Sequence, residues 1–237
     1  MGKLSLNPKI KAFIFDVDGT LYQQSILQKL IIRRMIKYLF TNPIPAIEAI
    51  VSILSFRYAL EKMRSMKSVD GLLMDKQLEI ASDVCSIKKN KMKLHITRWM
   101  KNEPFDLLHK AKYPFSDLFF REAKNRGYKL AVLSDYPIHN KLAALGWKYM
   151  FDVELSSQDI NINKLKPNPN GINHIINKFG LTPEEIIYIG DRYNIDSETA
   201  YNAGVDCIII GNNGLFKKNK KYIRHSYFEL YNALINI

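Results

Sequence analysis

The chain has 237 residues, with 35 Lys and Arg against 23 Asp and Glu, a net charge of +12 and 47% apolar residues. That composition supports a real core and excludes a disordered tail, a collagen-like fibre and a disulfide-stapled miniature. The excess of positive charge suits nucleic acid, a membrane surface or an anionic substrate, and does not choose among them. Two cysteines, Cys85 and Cys207, and no Cys/His cluster with zinc spacing suit a reducing, cytoplasmic setting. The first residues, MGKLSLNPKIKA, carry no long apolar run, so a secretory signal is not expected. The most apolar stretch, 26–60, is broken by Lys29, Arg33, Arg34, Lys37, Glu48 and Arg57, so a spanning helix is not expected either.

In chain order, KAFIF (11–15) is the first short apolar run that ends abruptly in polar residues. KLAVL (129–133), IIYI (186–189) and VDCIII (205–210) follow the same form, which suits strands buried on both faces of a parallel sheet. The 90 residues 22–111 read as helices instead. Leu27, Ile31, Met35 and Leu39 keep one face apolar, and Lys29, Arg33 and Lys37 recur on another. Asn42-Pro43-Ile44-Pro45 breaks the pattern, and further helices are expected over about 46–63, 76–84 and 91–100. An insertion this long should be a subdomain rather than a loop.

Beyond it, a helix is expected from near Ser116 to a C-cap at Gly127, and another ending at Gly180. Thr182-Pro183-Glu184-Glu185 has the form of a capped helix start, and Ser226 with Glu229 forms a second capping box for a helix over 227–234. Alternation of this kind predicts an α/β fold with a doubly wound, Rossmann-like parallel sheet core and an inserted all-helical unit. The expected division is a core of 1–21 and 112–237 with a helical unit of 22–111.

Ligands in open α/β sheets sit beyond the carboxyl ends of the strands. There the chain carries Asp16-Val17-Asp18-Gly19-Thr20, then Ser134-Asp135, then Gly190-Asp191-Arg192-Tyr193-Asn194-Ile195-Asp196. Lys166-Pro167-Asn168-Pro169 precedes the helix before the last of these. Carboxylates gathered at one spot need a cation, and hard oxygen donors point to Mg2+.

Four motifs in this order, DVDGT, the serine after KLAVL, KPNP and GDRYNID, resemble the haloacid dehalogenase-like hydrolase superfamily over roughly residues 11–21 and 113–237. The resemblance implies a Mg2+-dependent phosphatase. Asp16 would be the nucleophile that forms an aspartyl-phosphate, and Asp18 the general acid and base whose carbonyl also ligates Mg2+. Gly19 would let the chain turn away, and Thr20 would hold that turn or take part in phosphate binding. Ser134 and Lys166 would bind phosphate, Lys166 being preferred to Lys164 for its Lys-Pro context. Asp191 would ligate the metal, and Asp196 would act behind it through a bound water or Lys166. One departure stands out. Asp135 occupies a position where the family often has Asn for phosphate binding, so it serves either as a cap or in the site.

The aspartate at 18 favours phosphoryl transfer over dehalogenation, because halide leaves without a proton. Mutase and phosphonate-hydrolase chemistries stay open, and so does a non-enzymatic anion- or nucleic-acid-binding protein, although no recognised nucleic-acid motif is present. The insertion falls where the family carries a C1-type cap, which implies a small phosphorylated metabolite as substrate. Arg33, Arg34, Arg57 and Arg64 are candidate substrate contacts or solvated charges, and Gln23 and Gln24 are candidate pocket residues. The histidines have no motif context.

The charge itself is unevenly spread: +1 over 1–21, +8 over 22–111, −1 over 112–214 and +4 over 215–237. The helical unit's share reads as a steering field for anionic substrates, and the KKNKK run of the tail as a solvated face.

Overall fold

The computed structural model describes residues 4–66, 69–138, 140–211 and 225–236. The KKNKK run lies outside the described residues. The chain divides into two compact units, one of Met1–Gln24 with Lys112–Ile237 and one of Ser25–Ala111.

The first unit is built on five parallel strands: β1 (Ala12–Phe15), β2 (Lys129–Ser134), β3 (Val153–Ser156), β4 (Ile186–Gly190) and β5 (Asp206–Ile209). Their order is β3-β2-β1-β4-β5, so β1 is central. Side chains alternate across the sheet. Ala12 and Ile14 join Ala131, Leu133, Ile172, Ile175 and Tyr188 on one face, under helix α8 (Asn170–Phe179). Phe13 and Phe15 enter an aromatic cluster on the other face with Phe119, Phe120, Phe151 and Tyr227. Those rings come in part from α6 (Ser116–Asn125) and α10 (Tyr227–Ile235). Edge-to-face ring pairs of this kind add packing energy beyond the area they bury.

Two expectations need correction. Val153–Ser156 is a strand that the apolar-run criterion passes over, because Glu154 interrupts it and it lies at the sheet edge. The capping box at Thr182 and Glu185 is present, but it starts only a three-residue 3-10 turn, Pro183–Glu185. The β-branched run from Ile186 takes the chain straight into β4, and pairing with β1 overrides helix propagation. The capping box at Ser226 and Glu229 does start a helix, α10. Between β2 and β3 lies the short α7 (Lys141–Ala144), and α9 (Glu198–Asn202) follows the π-helical turn Tyr193–Ser197.

The second unit is helical throughout its described residues: α1 (Gln24–Thr41), α2 (Pro43–Arg64), α3 (Leu73–Cys85), α4 (Lys89–Ile96), a π-helical turn (Thr97–Asn102) and α5 (Phe105–Ala111). Pro43 sits at the first turn of α2, where a missing N–H costs nothing. Met35, Ala46, Ala49 and Trp99 form a small buried cluster. The Gln77 amide on α3 donates to the Phe56 carbonyl of α2 at 2.8 Å, a buried bond that fixes the pair. Of the arginines of this helical unit, Arg34 is tied to Asp106 at 2.7 Å and Glu103 at 3.2 Å, and Arg64 lies 3.3 Å from Glu61. Arg33 and Arg57 are exposed. Helix α2 is long and apolar enough to cross a membrane by length and composition.

The chain leaves and re-enters the core at one place, where Tyr22 and Lys112 form an antiparallel bridge.

Candidate active site

The centre of the site is the step off β1. Phe15 pairs with Val132 on one side and Ile189 on the other, and the Asp16 amide continues the ladder to the Ile189 carbonyl at 2.8 Å. Asp16 therefore emerges at the carboxyl edge between β2 and β4, and it is buried. One of its oxygens, Oδ1, accepts from Lys166 Nζ at 2.6 Å, and the other, Oδ2, from the Thr20 hydroxyl at 2.9 Å. Burial pushes Asp16 up to about 6, even though Lys166 pulls the other way.

Lys166 is the hub. Its ammonium is buried and donates to Asp16, to Asp196 Oδ1 at 2.8 Å and to the Tyr188 hydroxyl at 3.1 Å. Burial alone would lower its pKa, but the charges of Asp16 and Asp196 win and hold it well above the usual lysine value. Tyr188 also donates to Asp196 at 3.1 Å. Its own hydroxyl is held far above the usual tyrosine range by burial.

Asp196 is fully buried, and its other oxygen accepts from the backbone amides of Asp191 at 3.1 Å and Arg192 at 2.9 Å. It thus ties the loop after β4 to Lys166. A side chain at Gly190 could not coexist with it, since a Cβ there would lie 2.4 Å from the Cβ of Asp196.

Asp191 is the least satisfied group. Its Oδ1 is buried without a hydrogen-bond partner. Burial and the negative charges of Asp16 and Asp196 push it up to about 8. Carboxylate oxygens of Asp16, Asp191 and Asp196 lie within 4.8 Å of one another. An orphaned oxygen among three carboxylates is costly on its own, and a small divalent cation with hard-oxygen preference removes the cost. Since the oxygens of Asp196 already accept four bonds, Asp16 and Asp191 are the side chains suited to direct ligation.

Gly19 is required by this crowding. Its φ is +107°, and a Cβ there would stand 2.3 Å from Asp191 Oδ2. The turn it makes is fastened by Tyr113, which donates to the Gly19 carbonyl at 3.1 Å, and by Tyr227, which donates to the Thr20 carbonyl at 3.2 Å.

Asp18 faces a different set of partners. Lys141 donates to both its oxygens, at 2.7 and 2.9 Å, and the Tyr22 hydroxyl donates to Oδ1. Burial raises Asp18, but the charge and hydrogen bonds of Lys141 outweigh it, and the carboxyl sits below its usual range. Lys141, Tyr22 and Tyr188 carry no motif signal. Lys141 stands in an ordinary NKLAAL helix start, and Tyr188 inside a strand run.

Ser134 ends β2 and is buried; its Oγ accepts from the Tyr136 amide at 3.1 Å. Asp135 is buried against the loop that carries Lys166. Its Oδ1 accepts from the Lys166 backbone amide and the Ser157 hydroxyl, both at 3.1 Å, so it braces the loop that delivers Lys166. Gln23 and Gln24 are half-buried, and Lys164 is not part of this network among the described contacts.

Known proteins bear on this geometry. A family model described as haloacid dehalogenase-like hydrolase matches residues 10–204. A glyceraldehyde 3-phosphate phosphatase of Methanothermobacter thermautotrophicus is 24% identical over 205 residues, 85% of each chain. A phosphoglycolate phosphatase of Pasteurella multocida is 31% identical over 102 residues, 42% of this chain and 43% of that one. Among solved structures, a HAD phosphatase from Thermococcus onnurineus superposes with a TM-score of 0.61 at 23% identity, covering 95% of this chain and 98% of that one. A putative HAD hydrolase of Bacillus subtilis bound to magnesium superposes with a TM-score of 0.68 at 18% identity, covering 96% and 99%. With a family match over residues 10–204, most of its length, the chain belongs to the haloacid dehalogenase-like hydrolase family.

Proposed function

We propose that the protein is a Mg2+-dependent phosphatase that hydrolyses a small phosphorylated metabolite through an aspartyl-phosphate on Asp16. The carrying observation is the setting of Asp16, gripped by Lys166 and Thr20 beside the unpartnered oxygen of Asp191. When bound, Mg2+ would supply the charge that lets a phosphoryl dianion approach a carboxylate. Asp16 and Asp191 would hold it, with the Asp18 carbonyl as a further oxygen donor.

Lys166 offsets negative charge at Asp16 and orients its carboxylate for attack on phosphorus. Attack breaks the bond to the leaving oxygen, which takes a proton from Asp18. A water then gives its proton back to Asp18 and attacks the aspartyl-phosphate, releasing phosphate and restoring Asp16. Lys141 and Tyr22 set the orientation of Asp18 for both steps. Ser134, at the end of the neighbouring strand, is the hydroxyl available to a phosphate oxygen. Asp196 and Asp135 act through Lys166, the first on its ammonium and the second on its backbone.

Relatives named for glyceraldehyde 3-phosphate and phosphoglycolate support a small phosphorylated substrate. The test is phosphate release from p-nitrophenyl phosphate and from a panel containing those two compounds, with Mg2+ and with EDTA. Turnover that needs Mg2+, is abolished in Asp16→Asn, and falls about 10²–10⁴-fold in Asp18→Asn is expected. Full activity of purified Asp16→Asn protein would overturn the mechanism.

A further inference from the structure

Two helices of the helical unit expose rows of large apolar side chains to water. Over its first three turns helix α2 buries only small residues, Ala46, Ala49, Ser52 and Ser55, and large ones, Phe56, Leu60 and Met63, are buried only further along. It turns large apolar ones outward at helical spacing, with Ile44 71% and Leu54 61% exposed and Ile47 and Val51 between them. From Pro43 to Phe56 its only charged residue is Glu48, which is bound to Lys91 at 2.5 Å. Helix α1 repeats the feature every fourth residue, with Ile32 56%, Ile36 48% and Phe40 85% exposed. Single exposed apolar side chains are ordinary, but rows of them at helical spacing on two helices joined at Asn42 are not.

Charge narrows what covers these rows. Lys29, Arg33 and Lys37 are exposed on the same side of α1, Arg33 and Lys37 each one position after an outward isoleucine. Helix α1 has no acidic residue. The segment 22–111 carries a net +8. A second copy of this chain would bring the same positive charge to the contact. A nucleic acid would satisfy the charge and leave the apolar rows in water. An anionic bilayer surface offers both a negative headgroup layer and an apolar layer below it.

We propose that the outward rows of α1 and α2 dock the protein onto an anionic lipid surface. The apolar side chains enter the headgroup boundary and the flanking lysines meet the lipid charge. The helices lie on the bilayer rather than span it. The inward face of α2 is engaged, its Phe56 carbonyl bound by Gln77, and a spanning α2 would have to give up that packing. This docking stands apart from the phosphatase reading.

The test uses the full chain with sucrose-loaded vesicles. Phosphatidylcholine vesicles with about one-third phosphatidylglycerol are compared with phosphatidylcholine alone, across a salt series. Co-sedimentation with the anionic vesicles, weakened by salt, is expected. It should fall at least about tenfold in Phe40→Glu/Ile47→Glu and in Lys29→Glu/Lys37→Glu, because both kinds of contact are needed. p-Nitrophenyl phosphate turnover in solution and thermal melting check that the variants are folded. No binding to anionic vesicles at low salt overturns the proposal. So does binding that survives Phe40→Glu/Ile47→Glu, which would be charge attraction alone. Binding that resists high salt and yields only to detergent overturns it in favour of insertion. A dimer in light scattering that Phe40→Glu/Ile47→Glu dissolves overturns it in favour of a second copy.

Discussion

Lys166 Nζ lies 2.6 Å from Asp16 Oδ1, and both groups are buried. The same ammonium lies 2.8 Å from Asp196, so one cation answers two buried carboxylates. Lys166→Met leaves both without it. We expect a loss of about 3–5 kcal/mol in stability, the range for breaking a buried pair, together with loss of phosphate release. Urea unfolding checks the first and steady-state turnover the second. Wild-type stability in Lys166→Met would show that the carboxylates do not depend on it.

Gly19 and Asp191 cannot both keep their places if Gly19 gains a side chain, because the new Cβ would stand 2.3 Å from Asp191 Oδ2 at a φ of +107°. Gly19→Ala should displace the Asp191 carboxylate. The Mg2+ concentration for half-maximal activity should rise about 10–100-fold, as when a group that orients a ligand is lost. Titration of activity with Mg2+, alongside thermal melting, measures it. An unchanged Mg2+ requirement would remove Asp191 from the metal site.

The carboxylates predict how stability follows pH without metal. Asp191 is pushed up to about 8 and Asp16 to about 6, so the folded chain holds protons there that the unfolded chain releases near pH 4. Stability from both is fully present below the unfolded value and is lost as pH rises through about 6 and then about 8. In EDTA the melting temperature should therefore fall from pH 5 to pH 9. Mg2+ favours the ionised forms and should flatten the fall, and Asp191→Asn should flatten it in EDTA. A melting temperature in EDTA that climbs across the window contradicts this.

Lys141 grips both oxygens of Asp18, at 2.7 and 2.9 Å, and holds that carboxyl below its usual range. Lys141→Ala removes this hold, and Asp18 should protonate at higher pH. The acid-side limb of the kcat profile, where Asp18 must act as a base, should move to higher pH, with kcat reduced. Lys141→Arg should restore the limb while leaving kcat short of wild type, since the guanidinium does not reproduce the ammonium's position. A profile unmoved in Lys141→Ala would confine Lys141 to a structural role.

Motif residues at strand ends were legible because a buried parallel strand stops abruptly, and the first polar residues after KAFIF and IIYI fall at the carboxyl edge of the sheet. The supporting residues were not. Lys141 reaches Asp18 across 123 positions of sequence, and Tyr188 meets Asp196 only because β4 runs beside a π-helical turn. Asp135 shows the opposite case, a residue in a motif position whose bonds go to the backbone of Lys166 and to Ser157. Local signals also misled where pairing overrode them, as at Thr182, whose capping box opens a single turn.

The bridge between Tyr22 and Lys112 has a consequence for how such a chain can change over time. The two ends of the inserted segment stand side by side, so the sheet's connectivity is indifferent to how much chain hangs between them. Residues 25–111 could grow, shrink or be exchanged while Asp16, Lys166 and Asp191 keep their framework. The sheet that carries the reaction centre is thus closed off from the inserted segment by a single pairing. The outward apolar rows on α1 and α2 are the kind of novelty that this arrangement permits.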